Sequence, residues 1–356
     1  MSDRRWEYGS EFPLDVSCGN KLSNSPTNWR TGSLWGSGRD ALKGLIQYGI
    51  QQRNWKRFWV PSYLCQDVVC TVVETGIDLC RYSDRPGTSF PTIATERGDA
   101  LLVVNFFGLR DRIVYDRKTL KSEIIEDHTH DPWSNWADES EADFCIASLR
   151  KTLPIPDGGV IWSPIHEQVP WRLPPTQEHS SASLSKLAGM ILKQQYLRGE
   201  SVDKDIFRHY FLEGESKLGC GLVSGITPYS AEMLKTFPLL KWREQRGKNY
   251  KLLSSMISEQ SKLQILGPES QRCVPFCIVV VTNDKENRDL LRSKLTEKNI
   301  YPAILWPLEE GPPSVEGNIC DEDRLLNQRL LMLHCDFRYS LGDFNRVVEQ
   351  ISALGE

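Results

Sequence analysis

The stretch that decides the reading is Ser148-Leu149-Arg150-Lys151-Thr152-Leu153-Pro154-Ile155-Pro156-Asp157-Gly158-Gly159. It sets a lysine between an apolar run at 142–148 and a proline-braced turn that closes on a glycine pair, after which 159–163 is apolar again. Two short apolar runs around such a turn read as strands. Arg150 should lower the pKa of the neighbouring amine, and a free amine is the nucleophile that attacks an aldehyde. Solvated lysines are the commoner occupants of turns, so the weight of the reading falls on the surrounding chain.

Working outward, further strand-length apolar runs stand at 57–60, 77–82, 100–107 and 122–126. The run at 100–107 is continuous rather than alternating, the pattern of a strand buried on both faces. Helical periodicity is present at 38–48 and 66–74 between these runs, then at 183–197 and 231–260. Strands alternating with helices predict an α/β fold with a mainly parallel sheet sandwiched by helices. Such sheets place ligand-binding residues at the carboxyl ends of strands, where Asp127 and Ser148 fall. From residue 275 the order becomes strand (276–281), helix (285–298), strand (301–306), helix (325–332) and helix (341–354). We expect a large domain over 1–240, with an irregular segment at 1–34, and a small C-terminal α+β domain over 241–356. The Pro/Gly-rich acidic stretch 309–323 reads as a mobile loop.

Composition excludes several classes. The 356 residues are 40% hydrophobic and 25% charged with net charge −4, ordinary for a soluble protein and without the basic excess of a nucleic-acid binder. No apolar run approaches the ~20 residues of a membrane helix, and the N-terminus has no signal-peptide pattern. The ten cysteines show no Cys-x-x-Cys pair. Free thiols in a reducing cytoplasm are the expectation. His128 and His130 could suggest a metal site, but no further cluster completes it, so no metal is expected.

Two further segments bear on Lys151. Asp127 ends the run 122–126, and a carboxylate at the end of a buried strand needs a cationic partner. A capping role for it stays open. Gly36-Ser37-Gly38-Arg39-Asp40 opens a helix after a glycine turn, and free N–H groups at a helix start bind phosphate, with Arg39 able to add a charge-assisted contact and Asp40 opposing an anion.

In this order the segments resemble the DegT-type sugar aminotransferases, which are fold-type I pyridoxal 5′-phosphate (PLP) enzymes. The resemblance rests on residues 37–42, 60–65, 103–108, 125–130, 143–151 with 157–159, and 336–339. It implies that Lys151 holds PLP as a Schiff base and carries the proton transfer, that Asp127 pairs with the pyridine nitrogen, and that His130 packs near the ring. It also implies that the helix start at Gly38, Arg39 and Asp40 holds the phosphate. The family's hydroxyl is missing at 39–40, its serine five residues before the lysine is Ile146 here with Ser148 as substitute, and its stacking aromatic falls at Cys65, with Tyr63 as substitute. The Asn-Arg pair that reaches the partner subunit is not evident near 224–230. The implied activity is transfer of an amino group from an amino acid (Glu or Gln) to a keto-sugar, nucleotide-linked, in polysaccharide or secondary-metabolite biosynthesis, by a cytoplasmic homodimer with shared sites. A PLP enzyme of another reaction type on a non-sugar substrate, and a PLP-fold subunit without catalysis, stay open.

Overall fold

The computed structural model describes residues 4–14, 32–261, 263–308 and 319–353. In chain order it contains β1 (Tyr8–Gly9), β2 (Ser33–Trp35), α1 (Gly38–Gln52), β3 (Arg57–Pro61), α2 (Gln66–Val73), β4 (Asp78–Tyr82), β5 (Asp99–Val104) and β6 (Glu123–Asp127). Next come α3 (Asn135–Asp138), β7 (Phe144–Ser148), β8 (Gly159–Trp162), α4 (Gln177–Leu197), α5 (Lys204–Lys217), α6 (Pro228–Leu234) and α7 (Leu239–Gln260). The chain finishes with β9 (Gln264–Leu266), β10 (Cys277–Val281), α8 (Lys285–Glu297), β11 (Ile300–Tyr301), α9 (Asp321–Arg329), β12 (Leu330–His334) and α10 (Leu341–Ser352).

A seven-stranded sheet in the order β2-β8-β7-β6-β5-β3-β4 forms the centre. Strands β4, β3, β5, β6 and β7 run parallel, β8 alone runs the opposite way, and β2 beyond it returns to the common direction, so the mainly parallel α/β sheet is as expected. All six residues of β5 are buried, which is why that run carries no polar alternation. One core cluster, including Leu42, Phe58, Leu102 and Ile125, lies on one face; a second, including Leu101, Val103, Trp136 and Trp162, lies on the other.

A three-stranded antiparallel sheet, β12-β10-β9, lies in the C-terminal part, with α7, α8 and α10 contributing to its core. The residues expected to be helical at 330–332 are strand instead, because they pair antiparallel with Val279–Val281. The helix expected over 231–260 is interrupted at 235–238: α6 ends at Leu234 with Lys235 as its cap, and Pro238 stands at the N-cap position of α7. Only residues 300–301 of the strand expected at 301–306 and its neighbour form β11, and β11 pairs with β1. Part of the segment read as irregular therefore joins the C-terminal half. Residues 309–318 of the expected mobile loop lie outside the described residues, and residues from Asp321 form α9. No helix among the described residues is long and apolar enough to cross a membrane.

Candidate active site

Strand register brings the predicted residues together. β6 and β7 are parallel neighbours with Asp127 opposite Ile146, so Asp127 and Ser148 leave the sheet side by side and Lys151 follows in a single turn of 3-10 helix. The glycine pair explains itself at the same place. Gly158 N–H donates to Gly36 O at 2.6 Å, and Gly159 packs on the Ser37 carbonyl with no room for a Cβ. The lysine loop thus closes directly on the start of α1, where a Cβ on Gly38 would stand 2.8 Å from Ser148 Cβ. Beneath the turn, Asp157 is fully buried and accepts from His179 Nε2 at 2.9 Å, Thr227 N–H at 2.9 Å, Thr227 Oγ1 at 2.7 Å and the Ser230 hydroxyl. These bonds hold its carboxyl below the usual range against the opposing effect of burial.

These elements line a cavity of about 710 Å³ that Gly38, Arg39, Asp127, His130, Ser148 and Lys151 all reach. Lys151 is open to the cavity, and its amine has no hydrogen-bond or ion-pair partner among the described residues. Its pKa is lowered, first by the Arg150 charge and then by burial, while Glu215 and Glu11 oppose the shift. Asp127 Oδ1 accepts the Thr129 N–H at 2.8 Å, and its other oxygen has no cation within ion-pair distance among the described residues. Burial raises its pKa against the Thr129 bonds. An unpaired carboxylate and an unpaired amine therefore face one cavity, the arrangement of a binding site rather than of a structural ion pair.

His130 is 5% exposed. Its Nδ1 accepts the Phe107 N–H at 3.0 Å, which leaves the proton of the neutral ring on Nε2. Burial holds its pKa down at about 3. Its ring stacks on Trp306 with centroids 5.4 Å apart and planes 26° apart, and lies 4.9 Å from Phe276. Phe107 and Trp306 both have positive φ, of 54° and 62°, a strained backbone for bulky residues that marks this wall as specialised. His128, two residues earlier, points away. It meets Glu126 Oε2 at 2.8 Å, and Tyr115 and Trp136 also donate to that buried carboxylate. Glu126, His128 and Cys145 hold ligand atoms within 4.8 Å of one another, but Glu126 is already satisfied by these donors. The His-x-His pair is thus split between two environments.

Two expectations need correction. Tyr63 does not line the cavity: it is fully buried, edge-on to Phe106 and Phe107, and its hydroxyl takes Asn327 Nδ2 at 3.2 Å. Leu64 and Cys65 reach the cavity instead. Asp40 does not oppose an anion. It is 3% exposed and turned inward, with Oδ2 taking the Ser37 hydroxyl at 2.6 Å and Oδ1 the Ser224 N–H at 3.0 Å. Its own N–H is bonded to Ser37 Oγ, so the free amides of the helix start are those of Gly38 and Arg39. The Arg39 guanidinium is also committed, to Leu218 O at 2.5 Å and toward Asp67 at 3.6 Å.

The sequence reading missed several walls of the cavity. Helix α5 contributes Glu215, which bridges Arg150 and Lys186 at 2.6 Å each. Helix α7 contributes Arg243 and Arg246, both bonded to Asp131. Trp242 stacks on Phe337 at 3.9 Å, and the N-terminal strap brings Glu11 and Phe12, with Arg338 over the Phe12 ring at 4.1 Å. None of these shows a local signal in the sequence, since each is brought in by an element distant along the chain.

No protein-family model and no curated protein matches this sequence. Solved structures do match. Spr1654 of Streptococcus pneumoniae in its PMP form is 12% identical with a TM-score of 0.64, over 99% of each chain. DesV of S. venezuelae, in complex with a ketimine intermediate, is 17% identical with a TM-score of 0.57, over 91% of this chain and 85% of that one. A DegT DnrJ EryC1 StrS aminotransferase from Brucella abortus is 14% identical with a TM-score of 0.56, over 91% and 86%. The chain has the fold of these fold-type I aminotransferases, as the order of its motifs implied.

Proposed function

We propose that this protein is a PLP-dependent aminotransferase that moves an amino group from an amino acid, Glu or Gln, to a keto-sugar. The observation that carries the reading is the unpaired Lys151 amine and the unpaired Asp127 carboxylate on one cavity wall, at the ends of neighbouring parallel strands. The residues fit the cofactor. Lys151, Asp127, His130, Ser148 and the amides of Gly38 and Arg39 would hold it. When bound, PLP supplies an aldehyde that carries the amino group and a ring that accepts electrons.

The chain's own groups do the rest. Arg150 keeps Lys151 Nζ less basic than an ordinary lysine, which eases release of its proton. The Asp127 carboxylate, which has no cationic partner among the described residues, can hold a proton on a nitrogen base set against it, an interaction that burial strengthens. His130, neutral, offers its Nε2–H and a flat aromatic wall with Trp306. Eight Lys and Arg and six Asp and Glu line the cavity, so even with Arg150 and Lys204 paired to Glu215 and Glu7 a positive excess favours an anionic substrate, which supports a nucleotide-linked sugar. The sugar aminotransferases of like fold support the same substrate class, and a homodimer and a cytoplasmic setting complete the reading. A PLP enzyme of another reaction type is favoured by one observation, that the loop after β3 sends Leu64 and Cys65 rather than an aromatic to the cavity.

The test is spectroscopic. Purified protein given PLP should acquire a visible absorbance band that Lys151→Ala abolishes without loss of fold, and Glu or Gln should bleach it. A colourless protein that takes up no PLP sinks the proposal. A band that no amino donor bleaches favours the other reaction type. Sedimentation at low concentration reads the dimer.

A further inference from the structure

The cations that line the cavity differ in what remains free on them. Arg338 gives Nε and Nη2 to Asp336 at 2.8 Å each, and its Nη1 turns to the Ser10 and Glu11 carbonyls. Arg39 serves Leu218 and Asp67, Arg150 serves Glu215, and Lys204 is held between Glu7 and Tyr301. The Arg208 side chain is 62% exposed, where water screens its charge.

Arg243 and Arg246 differ from all of these. They lie three residues apart on one face of α7, and both turn onto the Asp131 carboxylate. Arg243 donates Nε to Oδ1 and Nη2 to Oδ2, each at 2.9 Å, and Arg246 donates Nη2 to Oδ1 at 2.6 Å. Two guanidiniums thus share one carboxylate that is 1% exposed. Asp138, a further carboxylate that acts on Arg243, is exposed to water, so a positive excess remains at the pair. Nη1 of each arginine takes no acceptor among the described residues and is not sealed from solvent, and both side chains line the cavity. Arg243 offers Asp131 its Nε–Nη2 edge, which leaves its other edge for a second acceptor. A fork already fixed on one side is preorganised, and its planar N–H groups match a carboxylate. The surroundings suit the same ligand. Trp242, beside the pair on α7, stacks on Phe337 and adds an apolar wall that weakens screening by water. The His130 ring is within electrostatic reach of both Arg246 and Lys151, so the pair and the reactive amine belong to one chamber.

We infer that Arg243 and Arg246 bind a carboxylate of the amino donor, with Asp131 fixing the near edge of each fork. An amino acid that gives up its nitrogen at Lys151 must set a carboxylate against the chamber wall, and this is the enclosed cationic pair there with N–H groups to spare. The inference rests on the proposed function in taking the carboxylate to be that of a donor, but the site itself is read without turnover.

The experiment titrates glutarate, a dicarboxylate without an amine, into protein supplied with PLP and follows tryptophan fluorescence, with glutaramide as the uncharged control. Wild type should bind glutarate and not glutaramide. Arg243→Met leaves Asp131 paired with Arg246, and should weaken glutarate about 10- to 100-fold, the loss expected for a charge-assisted bond, while PLP binds as before. Circular dichroism shows whether the variant is folded. If it folds poorly, Arg243→Lys, which keeps a cation beside Asp131 but has no second edge, should still weaken glutarate several-fold. In the half-reaction, Arg243→Met should raise the L-Glu concentration that half-bleaches the PLP band and leave the maximal rate nearly unchanged. L-Alanine, which lacks the distal carboxylate, tells which group is held: an equal loss assigns the α-carboxylate, and no loss assigns the distal one. UDP, in place of the phosphates of a nucleotide-linked acceptor, should bind wild type and variant alike. UDP weakened in the variant with glutarate unaffected overturns the inference and gives the pair to the acceptor. A folded variant with wild-type affinity for glutarate also overturns it, and leaves the proposed function standing. A wild type that takes up no PLP sinks the proposed function, and the donor with it.

Discussion

Replacing Asp157 by Ala tests whether the buried network under the lysine turn holds the site together. The carboxylate is fully buried and accepts four hydrogen bonds, from His179, twice from Thr227, and from Ser230. Hydroxyls can turn to other acceptors when it is removed, but the Thr227 N–H and the His179 imidazole are fixed by backbone and packing. Two stranded donors at ~1–3 kcal/mol each, with partial relaxation, give a loss of about 2–5 kcal/mol. The loss should register as a lower urea midpoint, followed by tryptophan fluorescence. A control variant, Thr227→Val, gives up one hydroxyl and should lose about 1 kcal/mol. Because Gly158 and Gly159 tie the same turn to Gly36 and Ser37, Asp157→Ala should also weaken PLP binding. A loss of stability under about 1 kcal/mol would refute the reasoning, since the donors would then have found other partners or water.

Tyr63→Phe should cost under about 1.5 kcal/mol, since Asn327 keeps its bonds to Leu305 O and Trp306 O, and PLP affinity should not change. A large fall in affinity would put Tyr63 back at the cofactor. His130 predicts an acid limb: its pKa falls from an ordinary 6.5 to about 3 in the folded chain. Unfolded protein therefore takes up this proton as pH drops below 6.5 while folded protein does not, and stability is lost on acidification. Over two pH units the loss is about 2–3 kcal/mol. Urea midpoints from pH 7 to 4.5 should fall less steeply in His130→Gln, and equal slopes count against the assignment. Lys151→Ala should leave the melting temperature within a few degrees of wild type, because the amine has no partner to lose, and a large drop would show a structural role.

How far the chain could be read follows from where each signal lies. Strand β5 was legible because burial on both faces leaves an unbroken apolar run. Asp127, Ser148 and Lys151 were legible because parallel strands end on one side of the sheet. Helix α5 was not, because only Phe207, Phe211 and Gly214 of its fourteen residues are buried, too few to set a period. Helix α4 hides its core face behind Lys186 and Lys193, which are buried only because Glu215 and Glu7 lie across from them. Tyr63 misled because sequence distance to Cys65 says nothing of which side is the cavity: the adjacent Leu64 and Cys65 both reach it while Tyr63 does not. The Asn327 amide, 264 residues away, decides where it points.

The pairing of β1 with β11 has a consequence for the order of assembly. Tyr8 and Ile300 are register partners, and the Tyr8 hydroxyl reaches the His334 carbonyl. The strap that brings Glu11 and Phe12 to the cavity thus has its mooring almost the whole chain away. Closing so long a loop carries a large entropic cost and comes late in folding. On the ribosome, β1 must wait for β11 to be made, and the sheet bearing Asp127 and Lys151 can form while one wall of the site is still missing. An early cofactor would meet that half-built site from the open side, so the strap is the part of the molecule that turns a folded sheet into an enclosed chamber.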